Sequence, residues 1–298
     1  MKPMLAARDA EISELKYPLL ASPKLDGVRG IVLDGVLVGR KLEPVPNPHA
    51  QQLFGIRALN NLDGELIVGS PTDGQVRNLT SGSMNRHKGE PDVKFYVFDI
   101  VDTVEPYLNR YNALKFVVSK HAAHGIPVVL VEHTLVNNAV ELLAFENDCL
   151  EMGYEGAITR ALDQPYKFGR STLKEGGMIK LKRFVDAEAQ VLQVNEEMQN
   201  TNEAERDKLG RTKRSKAQEG MVGKGRAGEL EVFGLDAPFN GVKFIVPLGG
   251  AGDVGKAWWW THRKDKKLPV ITFRYFPKGV KDKPLLPTYV GIREGWDR

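Results

Sequence analysis

One cysteine, Cys149, stands among 298 residues. Its isolation excludes an intrachain disulfide framework and any zinc site built from several thiolates, and it fits a reducing, cytosolic setting. Long apolar runs are missing as well: no stretch stays apolar for the ~20 residues that a membrane-spanning helix requires. The N-terminal MKPMLAARDAEISELKYPLL is interrupted by Arg8, Asp9, Glu11, Glu14 and Lys16, so it offers no h-region of a secretory signal. Neither internal repeats nor low-complexity tracts occur. A large excess of one charge is absent too, since 42 Lys and Arg face 38 Asp and Glu, a net of +4. That balance permits nucleic-acid binding without requiring it.

What the chain does have is apolar content, 42%, sufficient at this length for two ordinary domain cores. Short β-rich runs recur through the first half at Gly30 to Leu33, Gly64 to Val68 and Lys94 to Phe98, each bounded by Gly, Pro, Asp or Asn. Helices are expected over Asn109 to His124 and Asn138 to Met152, where Leu142, Leu143, Phe145 and Leu150 trace one apolar face. The first part therefore reads as α+β. After Phe184 the pattern shifts to short strands at Ala187 to Val194, Gly228 to Val232, Val242 to Val246, Pro269 to Phe276 and Thr288 to Ile292. So many short strands in little more than a third of the chain suit a small β-barrel, of which the OB-fold is one example. Two domains are expected, residues 1–184 and 185–298.

Charge distribution is more telling than net charge. From Arg206 to Arg226 lie Lys208, Arg211, Lys213, Arg214, Lys216 and Lys224, opposed only by Asp207 and Glu219. With Arg226, these residues are candidate contacts for nucleic-acid phosphates; a solvated, mobile loop is the competing reading. Trp258, Trp259 and Trp260 could stack on bases, or fill a core as aromatics more often do.

The sharpest local feature is Lys24-Leu25-Asp26-Gly27-Val28-Arg29, a turn between two short strands. Alone it is compatible with a surface turn in which Asp-Gly supplies the geometry and the lysine is solvated. Four further signals follow in order: Leu62-Asp63-Gly64-Glu65-Leu66, Tyr96-Val97-Phe98-Asp99, Tyr154-Glu155-Gly156-Ala157-Ile158 and Ile179-Lys180-Leu181-Lys182. Individually these read as strand-end acids, a core aromatic and a solvated strand face. Together, over roughly Ser22 to Ala189, they resemble the ordered motifs of the covalent nucleotidyltransferases, the family of DNA ligases, RNA ligases and mRNA capping enzymes. The last piece, Lys180 through Phe184 to Ala189, is similar to the interdomain junction of DNA ligases, and the chain's size resembles that of small bacteriophage ATP-dependent DNA ligases.

The resemblance implies an adenylation domain of antiparallel sheets with flanking helices, followed by an OB-fold barrel that closes over the nucleotide. It implies that Lys24 is the nucleophile that takes AMP from ATP, with Lys180 and Lys182 holding the α-phosphate. Arg29 and Arg40 would contact ribose or phosphate, Glu65 the ribose hydroxyl or a metal, and Phe98 the adenine face, with Ser22 and Leu25 bordering the nucleotide. Glu155 would contribute to a site for Mg2+, or Mn2+, a hard cation that keeps most of its water shell. The partner implied is nicked duplex DNA, sealed by a monomer. ATP is expected rather than NAD because Lys24 leaves no room before it for a nicotinamide-reading domain.

The chemistry agrees with those roles. A lysine attacks phosphorus only as the free amine, and with an ordinary value of about 10.4 roughly one in a thousand is neutral near pH 7.4. Neighbouring positive charge favours the amine and also neutralises the phosphate in an in-line transition state. One departure stands at the C-terminus. DNA ligases there carry an arginine-rich strand that orients pyrophosphate, whereas this chain reads Leu285-Leu286-Pro287-Thr288-Tyr289-Val290-Gly291-Ile292-Arg293-Glu294. Only Arg293 is kept, with Lys278, Lys281 and Lys283 as available substitutes. The rival readings are an RNA ligase or capping guanylyltransferase, and a non-catalytic nucleic-acid-binding protein.

Overall fold

Two sheets of short strands organise the first part of the chain, and a coiled five-stranded sheet with a two-stranded hairpin organises the second. The computed structural model describes residues 2–7, 12–102, 104–181, 184–206, 210, 212–276 and 282–293. It divides into two units, Met1–Lys182 and Arg183–Arg298, the division falling two residues before the one expected from sequence.

In the first unit the order is β1 (Leu19–Pro23), β2 (Val28–Leu33), β3 (Val36–Val38), α1 (Pro48–Phe54), β4 (Leu62–Val68), α2 (Val76–Met84) and β5 (Val93–Ile100). Then come α3 (Tyr107–Ala123), β6 (Val128–Leu130), β7 (Thr134–Val136), α4 (Ala139–Glu151), β8 (Ala157–Ala161) and β9 (Ile179–Leu181). One sheet has the order β3-β2-β4-β5-β6 and the other β7-β1-β8-β9. All pairings are antiparallel except β5 with β6. Sequential strands β1 and β2 thus lie in different sheets, and the four residues between them carry the chain across.

Local chemistry explains the elements. Asp34 and Gly35 both adopt positive φ, 51° and 76°, and join Leu33 to its partner Val36, the two-residue hairpin turn that Asp-Gly favours. Asn47 caps α1 by accepting from the Ala50 N–H at 2.9 Å, with Pro48 in the first turn. Asn138 caps α4 in the same way through Glu141, whose carboxylate returns to Asn137 and Asn138. The first sheet buries Leu66, Phe95 and Val97 with Phe54, Tyr107 and Leu114 from the helices. The second buries Leu19, Ala21, Ala157 and Leu181 against Leu142 of α4.

The second unit contains β10 (Val185–Asn200), β11 (Ala204–Arg206), β12 (Thr212–Arg214), β13 (Met221–Gly234), β14 (Lys243–Pro247), α5 (Gly252–Thr261), β15 (Val270–Phe276) and β16 (Leu285–Ile292). Five of them form an antiparallel sheet in the order β14-β13-β10-β15-β16, and its edge strands β14 and β16 approach each other. Register shifts along β10 allow that long strand to coil. Val191, Leu230, Val232, Phe244 and Phe273 fill the interior with Trp259 of α5, which is fully buried. The tryptophan run is therefore divided: Trp259 is core, Trp258 is partly exposed and stacked on His262 at 4.1 Å, and Trp260 carries the Arg263 guanidinium at 4.2 Å.

Candidate active site

Lys24 sits where the chain leaves one sheet for the other. Its N–H donates to the Gly156 carbonyl at 2.9 Å and its carbonyl accepts from the Glu155 N–H at 3.3 Å, extending the ladder in which Pro23 faces Ala157. That pairing sets the two side chains together: the Lys24 ammonium is ion-paired with the Glu155 carboxylate, and they are 19% and 6% exposed. Gly27 is required by proximity. A β-carbon there would strike the Leu66 carbonyl and the Ile67 side chain, so only glycine lets the turn lie down on β4.

Around Lys24 opens a cavity of about 380 Å³, within the range of small-molecule sites. Its walls include Lys24, Arg29, Arg40, Arg77, Arg160, Arg170 and Lys180 against two carboxylates, Asp26 and Glu65. Such an excess of cations in a concave site favours an anion. Of the residues expected from sequence, Ser22, Lys24, Leu25, Arg29, Arg40, Glu65, Phe98 and Lys180 all line this cavity, and Glu155 joins through Lys24. Lys182 lies outside the described residues. Among the described residues no group of three His, Cys, Asp or Glu could hold a metal. A divalent cation here would take few protein ligands, Glu155 and Glu65 offering carboxylate oxygens, with water and phosphate completing its shell.

Arg29 faces Glu65 across the ladder, but its guanidinium makes a two-pronged pair with Asp63. It also lies 4.8 Å from the centre of the Phe98 ring. Asp63 is fully buried and accepts a further bond from the Tyr166 hydroxyl at 2.7 Å. Burial pushes the Glu65 carboxyl up to about 7, against the pull of Arg29 and Lys24. Asp26 holds Arg77 at 3.1 Å.

Several wall residues escaped the sequence reading. Arg160, 1% exposed, donates to Asp99 at 2.7 Å, and Arg110 grips the same carboxylate at 2.8 Å. Arg170 donates to the Ala6 carbonyl at 2.6 Å. The signal for Arg160 was strand alternation: it follows Ile158 by two residues on β8, and Ile158 is the register partner of Lys180. Nothing comparable marks Arg170, which lies outside any strand.

The described residues of the basic stretch in the second unit include two short exposed strands. Strands β11 and β12 form an exposed hairpin in which Glu205 faces Lys213 and Ala204 faces Arg214. Lys213, Arg214 and Lys216 are exposed, with Arg214 donating to the Asn202 carbonyl. Lys208 and Arg211 lie outside the described residues. Lys224 and Arg226 of β13 do not project freely: with Lys256 of α5 they enclose Glu197 of β10, at 2.7 to 2.8 Å. These three cations hold the Glu197 carboxyl well below the usual carboxylate range. At the C-terminus Arg293 is ion-paired with Glu188, Lys283 is exposed, and Lys278 and Lys281 lie outside the described residues.

A lysine-bearing turn between two sheets, set in a cation-lined cavity and followed by a coiled five-stranded sheet, defines a nucleotidyl-transfer class of fold. The profile of the ATP dependent DNA ligase domain matches residues 3–182, and the chain belongs to that family. The DNA ligase of African swine fever virus is 30% identical over 129 residues, which cover 43% of this chain and 30% of the viral protein. The match thus spans less than a third of the length of the curated viral relatives. Chlorella virus DNA ligase-adenylate has a similar structure, with a TM-score of 0.56 and 27% identity over 98% of this chain and 99% of that one. A minimal-scaffold Lig E DNA ligase aligns at a TM-score of 0.69 and 23% identity over 98% and 99% of the two chains, a likeness of fold alone. The fold is α+β, a nucleotidyltransferase unit with an OB-fold unit.

Proposed function

We propose that this chain is an ATP-dependent DNA ligase that seals nicks in duplex DNA through AMP carried on Lys24. The observation that supports it most is the placement of Lys24 beside Glu155 in a cation-lined cavity, inside the residues that match the ligase family. In the first step the Lys24 amine attacks the α-phosphorus of ATP, forming a P–N bond as the bond to pyrophosphate breaks. Glu155, in contact with the ammonium, is placed to take its proton. Lys180 and Lys182 neutralise the α-phosphate, Arg29 and Arg40 hold ribose or phosphate, and Phe98 stacks on adenine, with Ser22 and Leu25 at the border. A bound Mg2+ or Mn2+ would shield charge on the phosphates.

In the second step AMP passes from Lys24 to the 5′-phosphate at the nick. The neighbouring 3′-hydroxyl then attacks that phosphorus and expels AMP. Residues 1–184 would carry the adenylation chemistry and residues 185–298 the OB-fold. The exposed Lys213, Arg214 and Lys216, with Lys208 and Arg211, would contact backbone phosphates, which carry no sequence information. Lys224 and Arg226, engaged with Glu197, would contribute to the same phosphate contact. We expect a monomer acting in the cytoplasm; no helix among the described residues is long and apolar enough to cross a membrane.

The test is strand sealing. Purified protein is incubated with a nicked DNA duplex or single-stranded RNA, with ATP or NAD, and the products are resolved on a denaturing gel. Joining of the duplex with ATP alone supports the proposal. Joining of RNA ends only would move the function to an RNA ligase. Binding of DNA without any joining would leave a non-catalytic protein.

A further inference from the structure

Phe98 is an extra residue in its ladder. Val97 pairs with Gly64 and Asp99 with Asp63, so Phe98 has no counterpart on β4, and β5 pairs with β6 only from Phe95 to Val97. A bulge of this kind leaves its residue out of the ladder and re-aims its side chain. The Phe98 carbonyl instead accepts from the buried Tyr107 hydroxyl at 2.8 Å. That hydroxyl also lies 2.8 Å from His133 Nε2. On the far side of the imidazole, Nδ1 is 2.8 Å from the Val131 carbonyl, and the His133 main-chain N–H donates to the Tyr111 hydroxyl at 2.9 Å. Phe98 and Val131 are both walls of the cavity, while Tyr107 and His133 are not among its lining residues.

The protons of this chain of groups can be placed. Burial, aided by the nearby Arg160 charge, pushes His133 down to about 3, so the ring is neutral at working pH and has one N–H. A carbonyl only accepts, so that N–H is Nδ1, donated to Val131. Nε2 is then an acceptor. The Tyr107 hydroxyl, with one proton to donate, lies 2.8 Å from both acceptors, Nε2 and the Phe98 carbonyl, and so stands between the two walls.

We infer that Tyr107 and His133 are positioning residues that fix the bulged Phe98 and the Val131 wall relative to each other, so that the pair sets affinity for the nucleotide base without touching it. The inference rests on the proposal that Phe98 stacks on adenine. Stacking depends on the ring's offset and tilt; Arg29 and Arg160 lie over the ring itself, while the main chain of this bulged residue, without a ladder partner on β4, is held by the Tyr107 hydroxyl.

A double-mutant cycle tests it, read as KM and kcat for ATP in AMP transfer to the protein. Tyr107→Phe keeps the ring and removes the hydroxyl; it should raise KM roughly fivefold, the weight of one neutral hydrogen bond, with the change falling on KM rather than kcat. Phe98→Leu should raise KM further. In the Phe98→Leu background Tyr107→Phe should add little, because its effect passes through that ring. An unchanged KM in Tyr107→Phe, or full additivity in the double variant, overturns the inference while leaving the stacking proposal intact. An unchanged KM in Phe98→Leu overturns the stacking proposal itself. If Tyr107→Phe does not fold, His133→Gln, which breaks the bond to Val131, is read in the same cycle against the same outcomes.

Discussion

Arg29 faces Glu65 across the β2–β4 ladder, yet its guanidinium is committed to Asp63, two residues away on β4. Glu65 is therefore close to a positive charge without a direct pair to it, and burial dominates, lifting its carboxyl to about 7. A raised carboxyl has a definite sign in stability. The folded form holds its proton more tightly than the unfolded chain, whose ordinary value is about 4.3. The associated stability is complete below that value and lost as pH rises through about 7. Glu65→Gln should match wild type in melting temperature near pH 4 and gain on it steadily as pH rises toward 8. Parallel melting profiles across that range would contradict the assignment.

Asp99 is fully buried between Arg110 and Arg160. Asp99→Asn leaves two buried guanidinium groups without their carboxylate, a change that typically costs about 3–5 kcal/mol. Urea unfolding should show that loss in the midpoint with the slope retained. A change under about 1 kcal/mol would mean the arginines find other anions.

Gly27→Ala tests the close approach at the active turn. The added methyl meets backbone at Leu66 and a side chain at Ile67, and backbone cannot rotate away. The Lys24 turn must lift off β4, so AMP transfer should fall at least tenfold, with an overpacking cost of roughly 1–3 kcal/mol. AMP transfer at the wild-type rate would show that the turn tolerates a different path.

Charge reversal at Lys213, Arg214 and Lys216 should weaken binding to a nicked duplex. The slope of log affinity against log salt should become shallower by about 0.9 for each phosphate that the protein no longer neutralises. Lys213, Arg214 and Lys216 are not among the residues lining the Lys24 cavity, so AMP transfer to Lys24 should persist. Equal loss of both activities would remove the hairpin from the DNA-binding role.

How much was legible in sequence follows from how local each feature is. The Lys24 to Arg29 turn announces itself because a lysine, an acid and a glycine share six residues. The long helices α3 and α4 and the strands β2, β4 and β5 are marked by their own periodicity and punctuation. Strand β1 and the short β6 and β7 carry too few residues to show any period. The Arg29–Asp63–Tyr166 and Arg110–Asp99–Arg160 networks join residues separated by as many as 103 positions, and before folding each arginine reads as a surface charge. Glu197 was hidden for the same reason: the three cations that surround it come from β13 and α5. Family resemblance supplied roles for the motifs, but not these supports.

The most direct measurement is the site of covalent attachment. Protein incubated with ATP and a divalent metal, then digested and read by mass spectrometry, should carry AMP on the peptide containing Lys24. Pyrophosphate should discharge it, and Lys24→Ala should never acquire it. An adduct on another residue, or nick sealing that survives Lys24→Ala, would contradict the account at its centre.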